Sequence, residues 1–402
     1  MSKLAKRPHQ IGVGDYASNS YTEGLVLSTL RKGRLTYGEL SKQVERTFSE
    51  IHQVKHAVLC SSGTDALRIA LRALKIENGW QGDFRQGIIV PTVTFVATLN
   101  VVIDEGFAPI MVDVDPVYYH LDPVLLEKEL AKWDKVSFQV VGCIPVHLFG
   151  QPVDWGTIEP ILKRYNVVCL EDSCECMYTQ VRGQYVGGLG EVGAFSLYAA
   201  HLLTAGVGGI VTTNDDALAC LARSLANHGR DGIYISIDDD KGGSQEVIKG
   251  RFRFEHRGFS SRITELQAAV ALPQLKTWER DIQRRNDNAR ILSGLLAPYQ
   301  NKLQLPQKRA GNGHSWMMYP LVLKEGNKWD LIAHLEKHGI ETREMLPLTN
   351  QPVYADWLNE TKYPVAKYIN EQGFYIGCHP YVTETAWRYV GMVFEDYFRG
   401  MG

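Results

Sequence analysis

The sequence contains no apolar run of the roughly 18 residues that a membrane-spanning helix needs. Its start, Met1-Ser2-Lys3-Leu4-Ala5-Lys6-Arg7, lacks the apolar stretch of a signal peptide. A charge excess of either sign is missing too: 43 Lys and Arg stand against 45 Asp and Glu, a formal net charge of −2. No global field therefore favours nucleic acid or a membrane surface, and an anionic ligand must be held by local groups. Cysteine is sparse, 7 in 402 residues, with no four-cysteine spacing. With no signal segment, these read as reduced thiols of a cytoplasmic protein, and no metal or iron–sulfur site is expected. Cys60, Cys143 and Cys169 lie in apolar runs and read as small core residues. Internal repeats and low-complexity segments are also lacking. What remains is ordinary globular composition, 45% hydrophobic and 22% charged, with length for a sizeable core.

Short apolar runs recur at 56–60, 88–91, 109–115, 140–147, 167–172, 192–197 and 210–213. Helical patterns separate most of them. One carries Leu40, Val44, Phe48 and Ile51; others cover 97–105, 157–165 and 216–226. The runs are apolar throughout rather than alternating, which predicts a mostly parallel sheet with helices on both faces. Ligands of such sheets bind beyond the carboxyl ends of the strands. Residues 1–37 read as partly irregular, and 227–250 as a polar, glycine-rich loop. A long helical pattern runs from near Thr264 to Leu296, interrupted at Pro273. Runs at 316–323, 340–345 and 373–376, with a helix at 329–338, predict a smaller α+β region. The expected division is a large α/β domain, 1–255, and a bridging helix with a small C-terminal domain, 256–402.

Three stretches carry polar chemistry. Ser61-Ser62-Gly63-Thr64-Asp65 joins a strand to a helix start. It suits an anion site made of free N–H groups and the positive helix end, and equally an ordinary N-cap. The segment 195–209 places His201 between two hydroxyl residues, Ser196 and Thr204, before Gly208-Gly209. A lone histidine there is more often a hydrogen-bonded structural residue. Arg251, Arg253 and Arg257 alternate with Phe252, Phe254 and His256, as in an exposed strand or a clamp for a phosphorylated ligand.

Taken together these points resemble the DegT-type sugar aminotransferases, a family of fold-type-I enzymes that use pyridoxal 5′-phosphate (PLP). The likeness runs from about residue 20 to the end. It rests on Ser61-Ser62-Gly63-Thr64, on 91–98 (PTVTFVAT), on Pro109 with 112–116 (VDVDP), on 145–152 (PVHLFGQP), on Glu171-Asp172, on Phe195-Ser196 with Gly208-Gly209, on Asn227-His228-Gly229 and on 262–269 (RITELQAA). The resemblance implies that Ser62, Gly63, Thr64 and Ser196 hold the cofactor phosphate and that Phe95 stacks on the pyridine ring. It implies that Asp172 pairs with the ring nitrogen and that Glu175 stands near the ring hydroxyl. It implies a homodimer with shared active sites, in which Ser260 stands where the family carries the asparagine that completes the partner's phosphate site. Arg230, Arg251, Arg253, Arg257 and Arg262 are candidates for the diphosphate of a nucleotide-linked sugar.

The departure lies at position 201. By resemblance the Schiff-base lysine of the family belongs there, and the chain has His201. Imidazole can move a proton but has no amine to link to the cofactor. Histidine at this point resembles the PLP- and pyridoxamine-phosphate (PMP)-dependent 3-dehydratases within the family, which act on 4-keto-6-deoxy sugars. The implied activity is C3 deoxygenation with L-glutamate as amino donor and His201 as base. Two other readings stay open: a nucleotide-sugar aminotransferase whose lysine has been replaced, and a non-catalytic member that binds PLP or a sugar nucleotide.

Overall fold

The apolar runs form strands β1 (His56–Cys60), β2 (Gln86–Pro91), β3 (Ala108–Val112), β4 (Gln139–Cys143), β5 (Val168–Asp172), a small β6 (Gln180–Val181) and β7 (Gln184–Tyr185) hairpin, β8 (Val192–Ser196) and β9 (Gly209–Thr213). The structure is a computed structural model that describes residues 10–230, 245 and 252–400. Arg251 and most of the 227–250 loop lie outside the described residues. Seven strands make one sheet in the order β1-β9-β8-β5-β4-β2-β3.

The pairs β2–β3, β2–β4, β4–β5 and β5–β8 are parallel, as the uniformly apolar runs predict. β9 is the exception, antiparallel to both β1 and β8. Its cause is local. Only residues 197–208 separate β8 from β9, and this connection holds no crossover helix of the kind that a parallel neighbour requires.

Helices α1 (Ser20–Lys32), α2 (Glu39–His52), α3 (Gly63–Glu77), α4 (Val96–Asp104), α5 (Pro123–Trp133), α6 (Trp155–Arg164) and α7 (Asp216–Ala226) accompany this sheet. α1 is the regular part of the stretch before residue 38 that reads as partly irregular. Asn19 caps it by accepting from the Thr22 N–H at 3.0 Å, and Gly33 ends it in the left-handed conformation. Side chains of α2, β1 and β8 share one core. Phe48 lies edge-on to Phe195 at 5.1 Å, and each buried phenylalanine contributes about 1.5–3 kcal/mol.

The long helical pattern splits into α8 (Glu265–Ala271) and α9 (Trp278–Leu296), broken around Pro273. Beyond them, β10 (Leu303–Gln304), β11 (Met318–Leu323), β12 (Thr342–Glu344) and β13 (Gly373–Gly377) form a second, antiparallel sheet with α10 (Lys328–Lys337), α11 (Pro364–Gln372) and α12 (Glu384–Arg399). The N-terminal residues reach this sheet's surroundings: Ile11 pairs with Ile340, and Glu341 accepts from the Val13 N–H at 2.9 Å. Among the described residues no helix is long and apolar enough to cross a membrane.

Candidate active site

The carboxyl ends of β1, β2, β5 and β8 deliver Ser62, Phe95, Asp172 and Ser196 to one edge of the sheet. Ser62 is the N-cap of α3, and its hydroxyl accepts from the Asp65 N–H at 3.1 Å. The capping reading therefore holds. It does not compete with anion binding, because the N–H groups of Gly63 and Thr64 have no acceptor within the helix. Gly63 is pressed against β8. A Cβ there would stand 2.6 Å from the Ser196 Cβ, 3.0 Å from its Oγ and 3.2 Å from the Cys174 Sγ. The close approach brings a helix N-terminus and a serine hydroxyl to one point.

Asp172 is 4% exposed. Its Oδ2 accepts from Thr98 Oγ1 at 2.7 Å and its Oδ1 from the Cys174 N–H at 3.1 Å. Burial raises its pKa above the ordinary carboxylate value, and these hydrogen bonds oppose the rise. A buried carboxylate with two fixed donors and a burial penalty is suited to meeting a cation. Thr98 also bonds Thr94 at 2.7 Å, and its N–H donates to the Phe95 carbonyl at 3.1 Å. Phe95 thus sits one turn from the residue that fixes Asp172, and its side chain is 59% exposed. It borders a cleft of about 490 Å3 shared with Trp329, Arg343 and Tyr375 of the second sheet region. Glu175 accepts from the Phe149 N–H at 3.0 Å, and burial lifts its pKa to about 7.

His201 lies in a tight turn, its N–H donating to the Tyr198 carbonyl at 2.9 Å. Its described neighbours are the Tyr198 ring, 5.9 Å away, and the residues of a small cavity that includes Thr204, Asp281 and Arg285. Burial, then the Arg285 charge, lowers its pKa to about 4, so it is neutral near pH 7. The structure brings Ser62, Gly63, Ser196 and Cys174 together, and Phe95, Thr98 and Asp172 together. It records no direct contact between His201 and these residues.

The proposed diphosphate arginines have other surroundings. Arg230 is 4% exposed, with its guanidinium over the rings of Phe252 and Phe254 at 5.6 and 5.4 Å. Arg253 pairs with Glu255 at 2.6 Å, and the Arg257 carbonyl accepts from Arg72 at 3.0 Å. Arg262 donates to Asn227 Oδ1 and to Ser260 Oγ, both at 3.1 Å. Ser260 is exposed and pairs with Asn227 through the backbone. Arg251 lies outside the described residues. Sequence reasoning missed Thr98, Cys174 and Arg285. Thr98 stands three residues after Phe95, the N-cap of α4, a spacing that the sequence shows without revealing the bond to Asp172.

The model of the DegT/DnrJ/EryC1/StrS aminotransferase family matches residues 19–395. The chain is 31% identical over 351 residues to the GDP-perosamine synthase of Caulobacter vibrioides, covering 86% of this chain and 87% of that protein. It is 29% identical to the lipopolysaccharide biosynthesis protein RfbH of Salmonella typhimurium, covering 93% and 88%. An Escherichia coli GDP-4-keto-6-deoxy-D-mannose-3-dehydratase with bound hydrated PLP superimposes with a TM-score of 0.83 over 96% of this chain and all of that one. At 23% identity that likeness shows the shared fold. With its polar strand ends gathered at one edge and a family match over nearly its whole length, the chain belongs to the DegT/DnrJ/EryC1/StrS aminotransferase family.

Proposed function

We propose that the chain is a PLP/PMP-dependent 3-dehydratase, which removes the C3 hydroxyl of a nucleotide-linked 4-keto-6-deoxy sugar with L-glutamate as amino donor. The fit of the cofactor is supported by three observations. Gly63 and Ser196 meet at a helix N-terminus suited to a phosphate. Asp172 is a buried carboxylate that a protonated ring nitrogen would stabilise. Phe95 exposes its ring one turn from Thr98, the donor to Asp172.

When bound, PLP supplies an electron-withdrawing pyridinium ring beside the reacting carbon. Gly63 and Thr64 hold its phosphate through backbone N–H groups, and Ser196 through its hydroxyl. Asp172 keeps the ring nitrogen protonated, and Thr98 orients that carboxylate. Phe95 covers one ring face. Glu175, its carboxyl raised to about 7 by burial, would stand near the ring hydroxyl. His201 accepts and returns a proton at its imidazole nitrogen. The overall reaction balances: the sugar exchanges C3–OH for C3–H, glutamate is oxidised by two electrons to 2-oxoglutarate, and ammonia is released.

The imidazole at position 201 carries the dehydratase reading, because it can transfer a proton but cannot exchange amines with a substrate. The relative named GDP-perosamine synthase favours the second reading, an aminotransferase that works without that lysine. Incubation with glutamate and a panel of 4-keto-6-deoxy sugar nucleotides separates them by mass spectrometry. The dehydratase yields a 3-deoxy sugar and free ammonia. An amino sugar overturns it, and no turnover with any sugar points to a binding protein. The shared-site homodimer, the division at 255/256 and a cytoplasmic location belong to the same reading.

A further inference from the structure

His201 borders a cavity of about 20 Å3 whose wall includes Asp15, Tyr178, Asp281, Arg285 and Tyr381. The Nδ1 atom of His201 is shut off from solvent and has no hydrogen-bond partner among the described residues. A buried ring nitrogen of this kind calls for a partner. Size decides which kind. One water needs roughly 10–15 Å3 and two to four polar partners, so the space suits a single water.

Charge points the same way. Arg285 is buried, and its guanidinium donates to the carbonyls of Trp316 and Met317, both at 3.0 Å. Asp281 lies four residues earlier, on the same face of α9. Its carboxylate is fixed by Thr277 Oγ1 at 3.0 Å and by Arg280 at 2.9 Å. Beside a buried arginine, an imidazole gains a proton only if a negative group offsets the new charge.

We propose that one water in this cavity links His201 Nδ1–H to the Asp281 carboxylate, a relay that sets the tautomer of His201 and stabilises its protonated form. The proposal rests on His201 acting as a base. Nδ1–H donates to the water and the water donates to Asp281, which leaves the lone pair on Nε2. Nε2 takes the substrate-side proton and later gives it back, and the water and Asp281 gain none. Asp281 is thus a positioning residue. The charged and titratable groups facing His201 are Asp15, Asp281, Arg285, Tyr178, Tyr198 and Tyr381. Arg285 opposes protonation, and in the proposed relay the Asp281 carboxylate offsets it through the water.

The test is nitrogen NMR of the full chain carrying 15N-histidine, with and without PLP, the His201 signal being assigned by His201→Gln. The expected wild-type signature is the Nδ1-protonated tautomer. Asp281→Asn is expected to lose that preference and to lower the His201 pKa by about one unit, a tenfold change in protonation. Unchanged signals from the other histidines verify the fold, and PLP affinity is expected to stay the same. Asp15→Asn is expected to leave the tautomer alone. A wild-type Nε2-protonated tautomer overturns the relay, as does a silent Asp281→Asn or a tautomer change confined to Asp15→Asn. The readout needs no turnover, so a failed dehydratase assay and a failed relay are separate results.

Discussion

Gly63 is the residue on which the proposed phosphate site turns, since one added carbon would stand 2.6 Å from Ser196 Cβ. Gly63→Ala is expected to weaken PLP binding at least tenfold, about 1.4 kcal/mol, in a fluorescence titration, with circular dichroism unchanged. Glu175 gives a pH signature. Burial raises its carboxyl to about 7, so the folded protein favours the neutral form. That preference stabilises the fold at low pH and fades as pH rises through 7. A limb near pH 7 is therefore expected in the kcat/KM profile, and Glu175→Gln is expected to abolish it. Ser62, Asp172 and Ser196 were legible in the sequence because each ends an apolar strand, where ligands of this sheet type bind. Thr98 and Arg285 were not, because their importance comes from contacts made across the fold, Thr98 with Asp172 and Arg285 beside His201.

Elements with strong periodicity were read close to their true limits: α7, β1, and the break between α8 and α9 at Pro273. α1 was missed because its apolar side chains do not mark a buried face. Tyr21, Leu27 and Leu30 are all about half exposed. The opposite direction of β9 was missed because a run of apolar residues reports burial, not strand direction. Glu265 shows a further limit. Its place in the 262–269 motif was visible, but its task was not. It is 5% exposed and accepts from the N–H groups of Gly38, Leu40 and Ser41 and from the Ser41 hydroxyl, capping α2 across more than two hundred residues of chain. Glu265→Ala strands these buried donors and is expected to cost roughly 3 kcal/mol in urea unfolding, judged from hydrogen bonds to charged groups. A loss below 0.5 kcal/mol, typical of neutral surface changes, would contradict this role.

At the scale of the molecule, two sheets frame the site. The larger supplies the cluster around Asp172, and the cleft beside Phe95 opens toward Arg343 and Tyr375 of the smaller. The shared-site homodimer proposed for the family adds a partner to this frame. Leu27 and Leu30, one turn apart on α1, are exposed apolar side chains and the candidate surface for the proposed contact. A Leu27→Glu/Leu30→Glu double variant tests whether this face carries the proposed homodimer: a monomer in light scattering with weaker PLP binding, where the unaltered chain is a dimer, supports it. A variant that stays dimeric places the interface elsewhere.

The central claim is that His201 replaces a covalent lysine anchor, and borohydride reduction in the presence of PLP followed by intact-protein mass spectrometry tests it most directly. The wild-type chain is expected to keep its unmodified mass, and His201→Lys to gain one reduced cofactor at residue 201. A wild-type chain that gains one cofactor per subunit on a lysine would contradict the account.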